Sequence, residues 1–304
     1  MTGAPATFAR PPAADIGLLA VAVVAVSTSG PLVVATAAPA LAIAFWRNAM
    51  GSAVILPWAL LRRWRELRTL DRRSWRLSTT AGVLLAVHFG TWIPSLALTS
   101  VASSTALVAT QPVWAAAFAR AAGRTVPRTV WVGIGLAVLG TALLAGVDVH
   151  LSGKALVGDL LALVGGAFGA GYVTIGAKVR SGVSTASYTA ICYPVCAVLL
   201  LVVNLAAGTQ LVGYSGETWL KLVALTVAAQ LLGHSLVNVV LRTTSATVVS
   251  LAILVEVPGA SLIAALWLHQ VPPATAIPGL ALLVAGAAVV IRAGSRLVRG
   301  DPTM

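Results

Sequence analysis

The stretch SLAILVEVPGASLIAALWL, residues 250–268, holds one carboxylate, Glu256, two positions before Pro258. A helix of that length spans about 30 Å of hydrocarbon. Whether an acid can stand in its middle, beside a helix-breaking residue, depends on the solvent around it. Composition decides that question. The chain has 304 residues, 59% hydrophobic and only 9% charged, whereas a soluble domain carries about 25% charge. It cannot cover itself with an ordinary aqueous surface. Apolar runs long enough to span a membrane recur along its whole length. The expected class is an all-α polytopic membrane protein.

Ten spans are predicted: about 16–36, 39–61, 78–98, 102–119, 129–147, 158–177, 187–207, 221–241, 245–268 and 275–291. The first could pass for a secretory signal, with Arg10 before an apolar core and ATAAPA after it. A later copy of the same pattern, described below, argues for a membrane span instead.

A net charge of +12 in a soluble protein would suggest nucleic acid. Here the basic residues sit in short connections. With the N-terminus in the cytoplasm, they gather in the loops at 62–76, 120–128 and 178–180, at Arg242, and in the tail from Arg292. Of the 20 Lys and Arg, only Lys154 and Lys221 fall in the opposite loops, and Arg47 lies within a span. This is the positive-inside pattern. It predicts both termini in the cytoplasm, a location in the inner (cytoplasmic) membrane, and the lipid bilayer rather than nucleic acid as partner. Cys192 and Cys196 lie four apart in one apolar run and read as small apolar filler.

The chain also repeats itself. DIGLLAVAVVAVSTSG from Asp15 is similar to DLLALVGGAFGAGYVT from Asp159, 144 positions on. GLAVLG from Gly135 is similar to GLALLVAG from Gly279 at the same offset, and VASST near residue 103 is similar to TSATV near 246. Order and spacing are kept. The expected units are two five-helix repeats, 15–147 and 158–292. An odd number of spans per repeat inverts the second against the first, the plan of many secondary transporters.

With FWRNAMG around Arg47, ATQPVWAA around Pro112 and LVEVPGA around Glu256, the chain resembles the EamA-type family of the drug/metabolite transporter superfamily. The resemblance covers about residues 15–292. It implies a carrier of small metabolites, often an exporter.

Ionisable side chains inside the hydrocarbon are costly and are functional candidates by default. Arg47, His88, His234 and Glu256 all lie well inside their predicted spans. Gln230, His234 and Asn238 recur every four residues, which predicts one helix face. His88 and Trp92 share a face in the third span in the same way. The candidate solute-binding residues are therefore Arg47, His88, Trp92, Gln230, His234 and Asn238, with Glu256 as candidate proton-coupling residue. Arg47 and Glu256 also fit a purely structural ion pair. An interior Pro frees the carbonyl four residues earlier, so Pro31, Pro94, Pro112, Pro194 and Pro258 predict breaks that could line a cavity. Gly165 and Gly169 form a GxxxG, which suggests close helix packing.

The sequence holds no HExxH, no Walker loop and no pair of mid-span aspartates. No metal, cofactor or enzymatic activity is expected. The expected function is secondary transport of a small, amino-acid-like or other organic solute, with export as direction and a proton as one candidate coupling ion. A membrane-embedded enzyme and a channel are the alternatives. Monomer and homodimer both stay open.

Overall fold

The computed structural model describes residues 12–123, 125–146, 153–244 and 246–271, with scattered positions between 274 and 289. The predicted tenth span therefore lies largely outside the described residues. The other nine spans are helical, and no strand occurs among the described residues. The first span is α1 (Ala13–Ser27) and α2 (Ser29–Ala35); the second is α3 (Ala40–Thr69) and the third α4 (Arg72–Ser95). The fourth is split into α5 (Val101–Val108) and α6 (Gln111–Ala121), and the fifth is α7 (Arg128–Gly146). Then follow α8 (Gly153–Arg180) and α9 (Thr185–Ala206). The eighth span runs through α10 (Gly216–Leu225), a π-helical segment (Thr226–His234) and α11 (Ser235–Val240). The ninth is α12 (Ala246–Ile253) and α13 (Glu256–Trp267).

Helix starts follow local chemistry. Asp71, Ser100, Ser184 and Ser215 each accept, through the side chain, the N–H three residues on. Each thereby satisfies one donor that has no partner within the helix. The hydroxyl and N–H of Ser74 hold the exposed Asp71 carboxyl below its usual range.

The prolines did not all act alike. Helices break at Thr28, at Ala109–Thr110 and at Leu254–Val255, just upstream of Pro31, Pro112 and Pro258. Each of these prolines then occupies the first turn of a new helix, where its missing N–H costs nothing. Pro194 is the correction: α9 runs through it from Thr185 to Ala206. Pro94 sits one residue from the end of α4 and breaks no span in its middle.

Much of the outer surface is apolar. Val24, Leu205 and Leu220 are each about two-thirds exposed (68%, 66% and 68%), and Leu61 and Leu266 more so. A surface of this kind suits lipid, not water. Five helical stretches are long and apolar enough to cross a membrane by themselves: Ala13–Ala35, Ala40–Thr69, Gly153–Arg180, Thr185–Ala206 and Gly216–Val240. Trp64, Trp75 and Trp267 are exposed near helix ends, where interfacial anchors belong, and Trp58 is exposed near the end of the predicted second span. Trp219 instead packs edge-on against Trp46, with ring centroids 4.9 Å apart.

The packing partners recur when the two halves are exchanged. α3 lies along α9, the second span of each half against the other. α4 lies along α8, and in the same way the π segment and α11 lie along α1. α5 meets α13 and α6 meets α12. Links at the helix ends agree with the charge count. Glu66 accepts from the N–H and hydroxyl of Ser184, both at 2.6 Å, and Lys221 donates to the Ala35 carbonyl at 2.9 Å. Each link joins ends that the basic residues assign to one side.

Glycines let the central helices approach. A Cβ at Gly82 would stand 2.7 Å from the Cys192 carbonyl oxygen and 2.8 Å from Val195 Cβ. Gly82→Ala should therefore lower the melting temperature in detergent, since overpacking costs about 1–3 kcal/mol. Gly17→Ala, where nothing lies within 4 Å, should not. Equal melting temperatures for the two variants would contradict this packing. The GxxxG is spent inside the chain: Cβ atoms at Gly165 and Gly169 would meet Trp92 Cβ at 3.0 Å and His88 Nδ1 at 2.8 Å. The motif seats α4 on α8.

Candidate functional site

The three broken spans converge. The first residues after the breaks are Ser29, Gln111 and Glu256, all polar, and all three line one cavity of ≈ 40 Å³ between the halves. The rest of its wall includes His88, Trp92, Tyr172 and His234. Broken helices that turn N-termini toward a shared space suit the binding of polar or charged groups, because the positive end of the helix dipole points there. Glu256 stands in the first turn of α13, where that dipole favours a carboxylate.

Glu256 is 8% exposed. Among the described residues no hydrogen bond or ion pair reaches its carboxylate; the salt bridge among them joins Lys221 to Glu217 on α10, at 2.6 Å. The structural ion pair with Arg47 is not formed. Arg47 is fully buried and held otherwise. It donates from Nε and Nη2 to Gln230 Oε1 at 3.2 and 3.1 Å, and from Nη1 to Ser29 Oγ at 3.1 Å. Gln230 Nε2 donates in turn to Asn48 Oδ1 at 3.1 Å. The guanidinium lies over the Phe89 ring, 4.0 Å from its centroid, a favourable cation–π contact. Arg47 bonds Ser29, which lines the cavity together with Glu256, but the two charged groups form no ion pair.

His88 and Trp92 share one face of α4 as expected. Their rings stack at 5.9 Å and 16°. His88 Nδ1 is 2.8 Å from the Gly165 carbonyl oxygen. A carbonyl only accepts, so Nδ1 carries a proton and donates it; in the neutral ring Nε2 is then an acceptor. The Trp92 indole N–H is buried with no hydrogen-bond partner.

The three residues of the stripe on the eighth span have different partners. The segment that carries Gln230 and His234, Thr226–His234, is π-helical, with i→i+5 bonding. Gln230 turns to Arg47 on α3. His234 faces the cavity, edge-on to Phe89 at 5.4 Å and Tyr172 at 6.3 Å. Asn238 donates to the Tyr172 hydroxyl at 2.6 Å. Of the candidate residues, His88, Trp92, His234 and Glu256 line the cavity, while Arg47, Gln230 and Asn238 brace its walls from behind.

A family model described as "EamA-like transporter family" matches residues 15–146 and 156–292. The chain belongs to the EamA-like transporter family. A solved structure described only as "Crystal structure of protein" has a TM-score of 0.74 and 18% identity, over 93% of this chain and 98% of that one. At that identity the likeness shows the fold alone. No curated protein matches the sequence. The family match establishes this EamA-like transporter as a multi-pass membrane protein with a small-molecule substrate.

Sequence reading missed Ser29, Gln111 and Tyr172 in this EamA-like transporter. For the first two a signal was present: SGP, QP and EVP each put a polar residue one or two places before a proline. Tyr172 carries no such mark, because one tyrosine in an apolar helix reads as packing.

Proposed function

We propose that this EamA-like transporter is a secondary carrier that exports a small, amino-acid-like organic solute by alternating access. Its moving parts are two inverted five-helix repeats, 15–147 and 158–292, in the inner (cytoplasmic) membrane with both termini in the cytoplasm. One observation carries the reading: three interrupted spans, drawn from both halves, each place a polar residue on one cavity. The exchange of packing partners between halves supports two equivalent, inverted units. The cavity holds only a few waters at ≈ 40 Å³, so a solute enters only when the halves separate on one side.

The wall suggests the solute's chemistry. Glu256 is its charged side chain among the described residues, with Arg47 screened behind Ser29, Gln230 and Phe89. A protonated amino group suits that carboxylate, and Trp92 offers an aromatic face beside it. A proton can occupy the same carboxylate, which makes proton coupling chemically available.

The test is counterflow in proteoliposomes with a panel of radiolabelled amino acids and amines. At least one should show saturable exchange above protein-free vesicles. Only linear leak across the panel would remove the reading. Orientation is checked in intact cells with both native cysteines replaced. A single cysteine beside Lys154 should label with an impermeant maleimide, and one beside Arg68 only after permeabilisation. Labelling at Arg68 in intact cells would overturn the topology.

A further inference from the structure

We propose that Asp15 and Asp159 are twin latches, made in turn during transport. Asp15 closes the cytoplasmic end on Thr243 and Thr244, and Asp159 closes the outer end on Thr99. The proposal rests on the alternating-access reading above.

One latch is formed. Asp15, near the start of α1, is 8% exposed, and its Oδ2 accepts from Thr243 Oγ1 at 2.5 Å and Thr244 Oγ1 at 2.8 Å. Both threonines belong to the turn between α11 and α12. The bond thus ties the first span of one half to the other half. Nothing else about the site uses it.

The twin is in place but unmade. Asp159 stands 144 positions after Asp15, near the start of α8. The turn between α4 and α5 corresponds to that between α11 and α12. Thr99 N–H bonds back to the Ser95 carbonyl at 2.9 Å, and Thr244 N–H to that of Val240 at 2.9 Å, so both turns close the preceding helix alike. α8 packs directly on its turn: a Cβ at Gly158 would stand 2.9 Å from Leu98 Cβ and 3.1 Å from the Thr99 nitrogen. Yet Asp159 Oδ1 is buried without a hydrogen bond, and the Thr99 hydroxyl makes none among the described residues. A buried carboxylate oxygen without a donor is unfavourable. A small sliding of α8 over the Leu98–Thr99 turn would supply one. When two equivalent halves exchange conformations, the bond gained at Asp159 offsets the one lost at Asp15. The equilibrium then stays balanced enough to cycle.

The test uses a single cysteine at Val237, a buried cavity position, with Cys192 and Cys196 replaced by Ala. Impermeant maleimide is applied to right-side-out and inside-out vesicles. Asp15→Ala should raise labelling from the cytoplasmic face several-fold and lower it from the outer face. Thr243→Val with Thr244→Val, which keeps side-chain shape, should do the same and carries the test if Asp15→Ala fails to fold. Asp159→Ala should act in the opposite direction. Unchanged rates in the threonine variant, or Asp159→Ala shifting labelling the same way as Asp15→Ala, would overturn the latches while leaving two-sided access intact. A reporter that labels from one face in every variant would overturn alternating access itself.

Discussion

Glu256→Gln is expected to reduce proton-driven accumulation of solute to background while leaving the protein folded and able to exchange solute. The carboxylate has no hydrogen bond or ion pair among the described residues, so the amide strands no partner. The loss of a charge at the start of α13 costs about 0.3–1 kcal/mol. Had Glu256 been the counter-ion of Arg47, removing it would have cost about 3–5 kcal/mol. Arg47 rests on Gln230 and Ser29 instead. The measurement is solute-induced proton flux in proteoliposomes, per molecule of folded protein. Wild-type flux from the variant would end the case for Glu256 as proton carrier. A collapse of the folded fraction would restore the structural role that the geometry denies it.

Gln230→Leu should have the opposite profile, a folding defect. Gln230 is fully buried and supplies the acceptor for two guanidinium nitrogens of Arg47. Leucine leaves that charge buried with Ser29 as its remaining hydrogen-bond partner, at a cost of about 3–5 kcal/mol. That is a large part of a typical stability of about 5–15 kcal/mol. Most of the protein should aggregate on extraction. Adding Arg47→Met removes the stranded charge, and the double variant should recover much of the folded fraction. Its remaining deficit, about 1–3 kcal/mol, comes from Asn48 Oδ1 losing its donor. Fluorescence-detected gel filtration and thermal melting read both outcomes. Wild-type melting of Gln230→Leu would show that Gln230 does not anchor Arg47.

These two residues also mark the limit of what the sequence shows. Glu256 stood out because one acid in a 19-residue apolar stretch is conspicuous. Gln230 was legible only as one of three polar residues with helical spacing. The spacing could not show their partners: Gln230 bonds Arg47, while His234 lines the cavity. The prolines were similarly ambiguous. Pro31, Pro112 and Pro258 mark real breaks, while α9 carries Pro194 without one. The GxxxG was visible too, but not that His88 and Trp92 would fill its groove.

The sequence alone determined the solvent and the spans. Charge content, apolar run length and the sign of each loop are properties of contiguous segments, and lipid reads them one segment at a time. The repeat from Asp15 to Asp159 is legible for the same reason, as a comparison of two segments. Only the tertiary structure decided which polar groups meet. Arg47 finds its acceptor 183 positions away in Gln230, and Ser29, Gln111 and Glu256 share a cavity although they come from three different spans. Such meetings depend on how glycine-lined helices pack and where each helix breaks. Apolar helices of similar composition leave that choice to the fit of particular side chains across the interface.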